Sequence, residues 1–168
     1  TAKLKENGVC PGLRVALLLP TSVEHIILIH ALAQLGAVLV PLNLRLTMSE
    51  ILPQLRQAKC THVVSSSETA HIADLFPRGI RRTDILALVD LRDDSPVTTE
   101  TLEQHEEFLH SATSNHLHSI VFTSGTTGKP KGVKLTYANH FHSATSSSYR
   151  LGILPSDKWL LCMPLWHV

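Results

Sequence analysis

Cysteines, aromatics and long unbroken apolar runs are all scarce in this chain, and each scarcity removes a class of protein. The three cysteines, Cys10, Cys60 and Cys162, stand far apart with no Cys-x-x-Cys spacing. That argues against a thiolate metal site and a disulfide framework, and no metal ligands are assigned. Without a charged-then-apolar leader, the same pattern points to a reduced, cytoplasmic compartment. The most apolar stretch, residues 26–42, is interrupted by His30, Gln34, Gly36 and Pro41. It falls short of the roughly 18 apolar residues that a membrane span requires, so no membrane partner is expected. Phe, Trp and Tyr make up 5% of the chain, a poor footing for nucleic acid.

The most telling absence is of negative charge. Residues 109–155 contain no Asp or Glu, yet hold Lys129, Lys131, Lys134 and Arg150 together with five histidines. A formal net charge of +1 therefore hides a slightly acidic first part and a basic second part, the field expected where an anion is bound. Four cations are too few for a nucleic-acid footprint, so a small anionic ligand is the better match.

Within that stretch, an apolar segment from Ile120 runs into Thr123-Ser124-Gly125-Thr126-Thr127-Gly128-Lys129-Pro130-Lys131-Gly132. Hydroxyls at 123, 124, 126 and 127 are donors, the two lysines supply charge, and glycines at 125, 128 and 132 leave the backbone free to take φ > 0 and offer its N–H groups to an anion. The pattern is not a Walker A loop. Around Gly128-Lys129, Thr123 stands where the first glycine belongs, and Pro130 stands where a Mg²⁺-binding hydroxyl belongs. It is not the dinucleotide fingerprint either, since Gly125 has no glycine two residues on.

The rest of the chain reads as an alternating α/β fold with a mainly parallel sheet flanked by helices. A helix over residues 2–7 stops at Gly8, and Pro11-Gly12 makes a turn. A buried strand follows over 14–19. Thr21-x-x-Glu24 is a capping box opening a helix that Gly36 ends, and 37–42 is the next strand. A second box, Thr47-x-x-Glu50, opens a helix through Ile51, Leu55 and Ala58, with Pro53 expected to kink it. Strands are expected over 61–65 and 85–91, and a surface turn over 93–96. The strand 116–122 delivers the glycine-rich loop and 133–136 leaves it. Thr136 caps a helix over 137–149, and 159–164 forms a last strand ending in Pro164-Leu165-Trp166-His167.

The ten residues 123–132 resemble the signature loop of the adenylate-forming superfamily, which includes acyl- and aryl-CoA synthetases, luciferases and peptide-synthetase adenylation domains. Pro41-Leu42-Asn43, Leu135-Thr136-x-x-Asn139 and Met163-Pro-Leu-x-His167 resemble the same family in order. The runs 136–144 and 159–167 are most similar to the o-succinylbenzoate–CoA ligases of menaquinone and phylloquinone synthesis. The resemblance implies that these 168 residues are part of a large N-terminal AMP-binding domain, with the remainder of that domain and a small C-terminal domain lying outside them.

It further implies activation of a carboxylic acid by ATP and Mg²⁺ to an acyl-adenylate, then transfer to coenzyme A. Thr123, Ser124, Thr126 and Thr127 would be phosphate ligands, Gly125, Gly128 and Gly132 would shape the loop, and Lys131 would occupy the family's basic position after Pro130, all within one cofactor-binding stretch. Lys129 stands at a position that varies in the family. His167 would border the acyl and nucleotide pockets, with a plain structural role at a helix start as its alternative. Another acyl- or aryl-CoA synthetase, or a non-catalytic nucleotide-binding module, are the alternative readings of the whole. The 168 residues alone are expected to be inactive, and a homo-oligomer is left open.

Overall fold

In a computed structural model, which describes residues 1–89, 115–123 and 130–167, one six-stranded sheet organises the chain. The elements are α1 (Ala2–Glu6), β1 (Arg14–Leu18), α2 (Val23–Leu35), β2 (Val38–Pro41), α3 (Met48–Ala58), β3 (His62–Ser65), α4 (Ala70–Ala73), β4 (Arg81–Asp84), α5 (Ile85–Leu88), β5 (Leu117–Thr123), β6 (Lys131–Thr136) and α6 (Tyr137–Leu151). The spatial order is β4-β3-β1-β2-β5-β6, parallel throughout except for the antiparallel β5–β6 pair. The mainly parallel α/β class read from the sequence is the one observed.

Strand periodicity explains why β1 reads as a continuous apolar run. Val15 and Leu17 face the layer that holds Leu28 and Leu32 of α2, while Ala16 and Leu18 face the layer that holds Ile51 and Leu55 of α3. Both sides of the strand are covered, so every position is apolar. β2 follows the same rule, with Leu39 toward α2 and Val38 and Val40 toward α3. Gly36 ends α2 at φ 75°, a left-handed position that favours glycine. α3 runs on through Pro53, which is exposed, as is Ser49, whose carbonyl Pro53 leaves without an intrahelical donor.

Three sequence expectations are corrected. α2 is capped by Ser22, not Thr21. Ser22 is extended at φ −153° and its hydroxyl accepts from His25 N–H at 3.2 Å, which places Glu24 one residue too early to close a box with it. The strand expected over 85–91 lies earlier. Arg81–Asp84 adds to β3 in parallel, and Asp84 Oδ1 then accepts from Leu86 N–H at 2.8 Å and starts the short α5. An edge strand as polar as Arg-Arg-Thr-Asp carries no alternation signal, and the end of the expected segment, with the turn at 93–96, lies outside the described residues. Finally, residues 159–164 form no strand; Trp159 is 83% exposed and Leu160 81% exposed, with no strand beside them among the described residues.

Replacing Ser22 by Ala is expected to lower the unfolding free energy by about 1 kcal/mol, the usual worth of an N-cap. A urea titration of the full-length protein measures it, and an unchanged midpoint would return the cap to Thr21.

Candidate functional site at the carboxyl edge of the sheet

β1, β2 and β5 run the same way, so Leu18, Pro41 and Thr123 all end at one edge of the sheet. The chain leaving β1 turns to the face covered by α2, and the chain leaving β2 turns to the face covered by α3. Such divergence opens a crevice outside the strand ends, where open α/β sheets bind their ligands.

The β1 side of this edge is fixed by buried hydrogen bonds. Thr69, 5% exposed, donates its hydroxyl to the Leu18 carbonyl at 2.6 Å. His25, 0% exposed, has Nδ1 3.0 Å from the Pro20 carbonyl oxygen. Burial lowers the His25 pKa, so the ring is neutral and Nδ1 carries the proton that this contact requires.

β5 and β6 bring part of the expected phosphate site together. Thr123 pairs with Lys131 as the last rung of the antiparallel ladder, and both are exposed. Pro130 precedes the rung and Gly132 follows it. Ser124, Gly125, Thr126, Thr127, Gly128 and Lys129 lie outside the described residues. Gly132 needs correction. It sits in β6 opposite Phe122 and is not among the residues with positive φ. A Cβ there would come within 3.0 Å of Ile120 Cγ2 and 3.2 Å of the Phe122 ring. Glycine at 132 makes room for the packed face of β5 rather than allowing a left-handed backbone.

His167 lies in a different turn. Its N–H donates to the Pro164 carbonyl at 2.9 Å, its ring is 6.0 Å from that of Trp166, and it is exposed. Leu165 N–H donates to Thr21 Oγ1 at 3.2 Å, and the Arg45 guanidinium carbon lies 5.8 Å from the Trp166 ring centroid. The turn therefore rests on the loops leaving β1 and β2. Sequence reading missed Thr21 and Arg45 in this role. In the sequence Thr21 reads as a helix cap, and the one pointer to Arg45 is its place two residues after Asn43.

Asn139 and His140 are structural. Asn139 closes a capping box with Thr136, accepting the Thr136 N–H at 2.9 Å. His140 Nε2 is 3.0 Å from Ser119 Oγ, and its ring lies 4.2 Å from that of His118, which also meets Tyr137 edge-on at 4.8 Å. Burial first, then the neighbouring His140 and His30, push the His118 pKa down to about 4. Cys60, buried, has its thiol pushed up to about 12 by burial, so it is an inert core residue.

A cleft of about 1040 Å³ opens at the opposite edge, where Arg14, Val38 and Leu117 begin their strands. Arg14, its most obvious anion donor, already donates Nη1 to the Ala58 carbonyl at 2.7 Å. Size alone does not outweigh the carboxyl-edge rule. Among the described residues no three His, Cys, Asp or Glu side chains gather to hold a metal ion, and no helix is long and apolar enough to cross a membrane.

Comparison with known proteins matches residues 2–168 to the AMP-binding enzyme family. The chain is 38% identical over 165 residues to the 2-succinylbenzoate–CoA ligase of Bacillus cereus, covering 98% of this chain and 31% of that protein. It therefore spans under a third of that relative's length. Among solved structures, the o-succinylbenzoate coenzyme A synthetase of Bacillus subtilis in complex with ATP and magnesium ion aligns with a TM-score of 0.73 at 27% identity, over 98% of this chain and 41% of that one. The inhibitor-bound N-terminal domain of FACL13 from Mycobacterium tuberculosis aligns with a TM-score of 0.73 at 30% identity, over 98% and 41% of the two chains.

The lowered pKa of His118 has a definite pH consequence. The folded ring resists a proton that the unfolded chain accepts near pH 6.5, so stability is fully present above that pH and declines toward about pH 4. His25 and His140, also lowered, act in the same direction. Urea midpoints measured across this window should fall with pH, and less steeply in His118→Phe. Equal slopes would remove His118 from the account.

Proposed function

The chain belongs to the AMP-binding enzyme family, and on that premise we propose that it is the part of a carboxylate-activating ligase that holds the ATP phosphates and one wall of the acid pocket. The chain would be a portion of the N-terminal AMP-binding domain of a longer protein. That protein would convert o-succinylbenzoate to its coenzyme A thioester, by analogy with the Bacillus relatives. The supporting observation is the Thr123–Lys131 rung, which fixes the ends of the glycine-rich loop at the carboxyl edge of the parallel strands.

In the first step a carboxylate oxygen attacks the α-phosphorus of MgATP, the bond to the β-phosphate oxygen breaks, and pyrophosphate leaves. Charge builds on the departing group. The Thr123 hydroxyl, the Lys131 ammonium, and the hydroxyls and N–H groups of residues 124–129 are the donors for it. Donors aimed at the charge that develops on the leaving group would stabilise the transition state more than the reactants. Lys131 is exposed and its immediate sequence lacks acids, so no carboxylate nearby in sequence competes for it. Mg²⁺ would arrive with the nucleotide, as suits a cation that keeps several waters and needs no all-protein cage.

In the second step the coenzyme A thiolate attacks the acyl carbon and AMP leaves, giving the thioester. Trp166 and His167, on the turn between the strand ends, would line the acyl side of the crevice. The described geometry contributes positioning and electrostatics, and Cys60, a buried, protonated thiol, takes no part as a nucleophile.

With the full-length protein, exchange of labelled pyrophosphate into ATP should depend on added o-succinylbenzoate. Lys131→Ala should slow it on the order of a hundredfold, the usual cost of one transition-state donor, with an unchanged far-UV spectrum. Exchange with a fatty acid but not with o-succinylbenzoate would move the protein to another acyl-CoA synthetase, and exchange without any acid would contradict the reading. The 168 residues alone should form no thioester.

A further inference from the structure

We infer that Thr21, Asn43 and Arg45 are positioning residues that clamp the Pro164–His167 turn across the ends of β1 and β2, and thereby set the shape of the acid pocket. The second half of this inference rests on the functional reading above; the clamp itself does not.

Among the described residues the turn has little else to hold it. Beyond α6 the chain is exposed almost throughout, with Trp159 at 83% and Leu160 at 81%. Backbone hydrogen bonds within residues 152–167, such as Asp157 N–H to the Leu154 carbonyl, are local. The Leu165–Thr21 bond joins residues 144 positions apart and is the one hydrogen bond among the described residues that ties 153–167 to the rest of the chain. The Arg45–Trp166 contact is the second tie. A guanidinium within about 6 Å of a Trp face is attracted by the ring's quadrupole.

Both ties lead back to rigid parts of the molecule. Thr21 is free to accept from Leu165 because Ser22 caps α2 in its place. The preceding Pro20 carbonyl is pinned by His25, wholly buried under the loop. On the other side, Asn43 follows β2 directly and its side chain makes an Asx turn, accepting Arg45 N–H at 2.9 Å, while its carbonyl accepts Leu46 N–H at 3.1 Å. That turn sends the Arg45 side chain back over the crevice to Trp166. Two stretches separated by more than a hundred residues in sequence, 41–45 and 163–167, thus become one constellation. A clamp with one foot on the β1 loop and one on the β2 loop spans the point where the connections diverge.

The test uses the full-length protein and two readouts. Amide hydrogen exchange of the peptide covering 164–167 should quicken about two- to fivefold in Thr21→Val and in Arg45→Met, as expected for loss of one neutral hydrogen bond or one exposed cation–π contact. Peptides covering 14–18 and 38–41 serve as the fold control and should keep their protection. Thr21→Ser, which keeps the hydroxyl, and Arg45→Lys, which keeps the charge, should restore slower exchange. In the pyrophosphate exchange assay, the KM for the acid should rise in the released variants while the KM for ATP stays put.

Unchanged exchange at 164–167 in both variants would overturn the clamp. Released exchange with an unchanged acid KM would overturn its role in the pocket. A wild-type protein without acid-dependent exchange of pyrophosphate would sink the functional reading, and the pocket role with it, while the amide data would still decide the clamp.

Discussion

Everything at the candidate site depends on one constraint: β1 and β2 are parallel neighbours covered on both faces. Parallel strands cannot be joined by a tight hairpin, so each must send its chain over a face of the sheet. When the first crossover takes one face and the second takes the other, the loops at the strand ends separate. The apolar content of β1 and β2 secures this arrangement, since exposing either strand would leave Val15, Leu17, Leu18 or Val40 in water at roughly 1.5–3 kcal/mol per side chain. The crevice is a by-product of how the core is buried.

Around that crevice, charge and hydrogen bonding divide the work. The β5–β6 hairpin contributes hydroxyl, lysine and glycine in a stretch of sequence without acids, which suits an anion. The opposite rim is made by Trp166 and His167 on a turn with apolar and aromatic character, which suits an organic acid. Between them run the loops after β1 and β2, whose hydrogen bonds reach into the core through His25 and Thr69. Under the proposed function this stiffness would serve positioning, because a donor that must be reoriented during a reaction loses much of its value. His118 and His140 belong to the opposite end of β5. They help seat α6 on the sheet, near the start of β5 rather than at the Thr123–Lys131 rung.

Which parts were legible in the sequence follows from where the information resides. Strands buried on both faces and helices with strong caps announce themselves locally, so β1, β2, α3 and α6 were readable from apolar runs, Gly36, Thr47 and Thr136. The glycine-rich stretch stands out as a motif for the same reason, as its residues are contiguous, though most of them lie outside the described residues. What failed depended on partners far away. Arg81–Asp84 is a strand only because β3 lies beside it. Residues 159–164 look like a strand, but an extended apolar run forms one only against a neighbour. Thr21 and Ser22 are both capping residues, and the choice between them was settled by φ/ψ and by Leu165, 144 residues on. Gly132 was read as a conformational glycine, whereas the reason for it is the side chains of Ile120 and Phe122 packed against it. Arg45 had no local signal at all beyond an asparagine two residues earlier.

Under the proposed function, the segment joining β5 to β6 grips a triphosphate at the carboxyl edge of the sheet. A crystal structure of the full-length protein with a non-hydrolysable ATP analogue tests it most directly. The account predicts β- and γ-phosphate oxygens within hydrogen-bonding distance of the Thr123 hydroxyl, the Lys131 ammonium and N–H groups in residues 124–129. A triphosphate bound in the cleft at the amino ends of the strands, with residues 123–132 making no contact to it, would contradict the account.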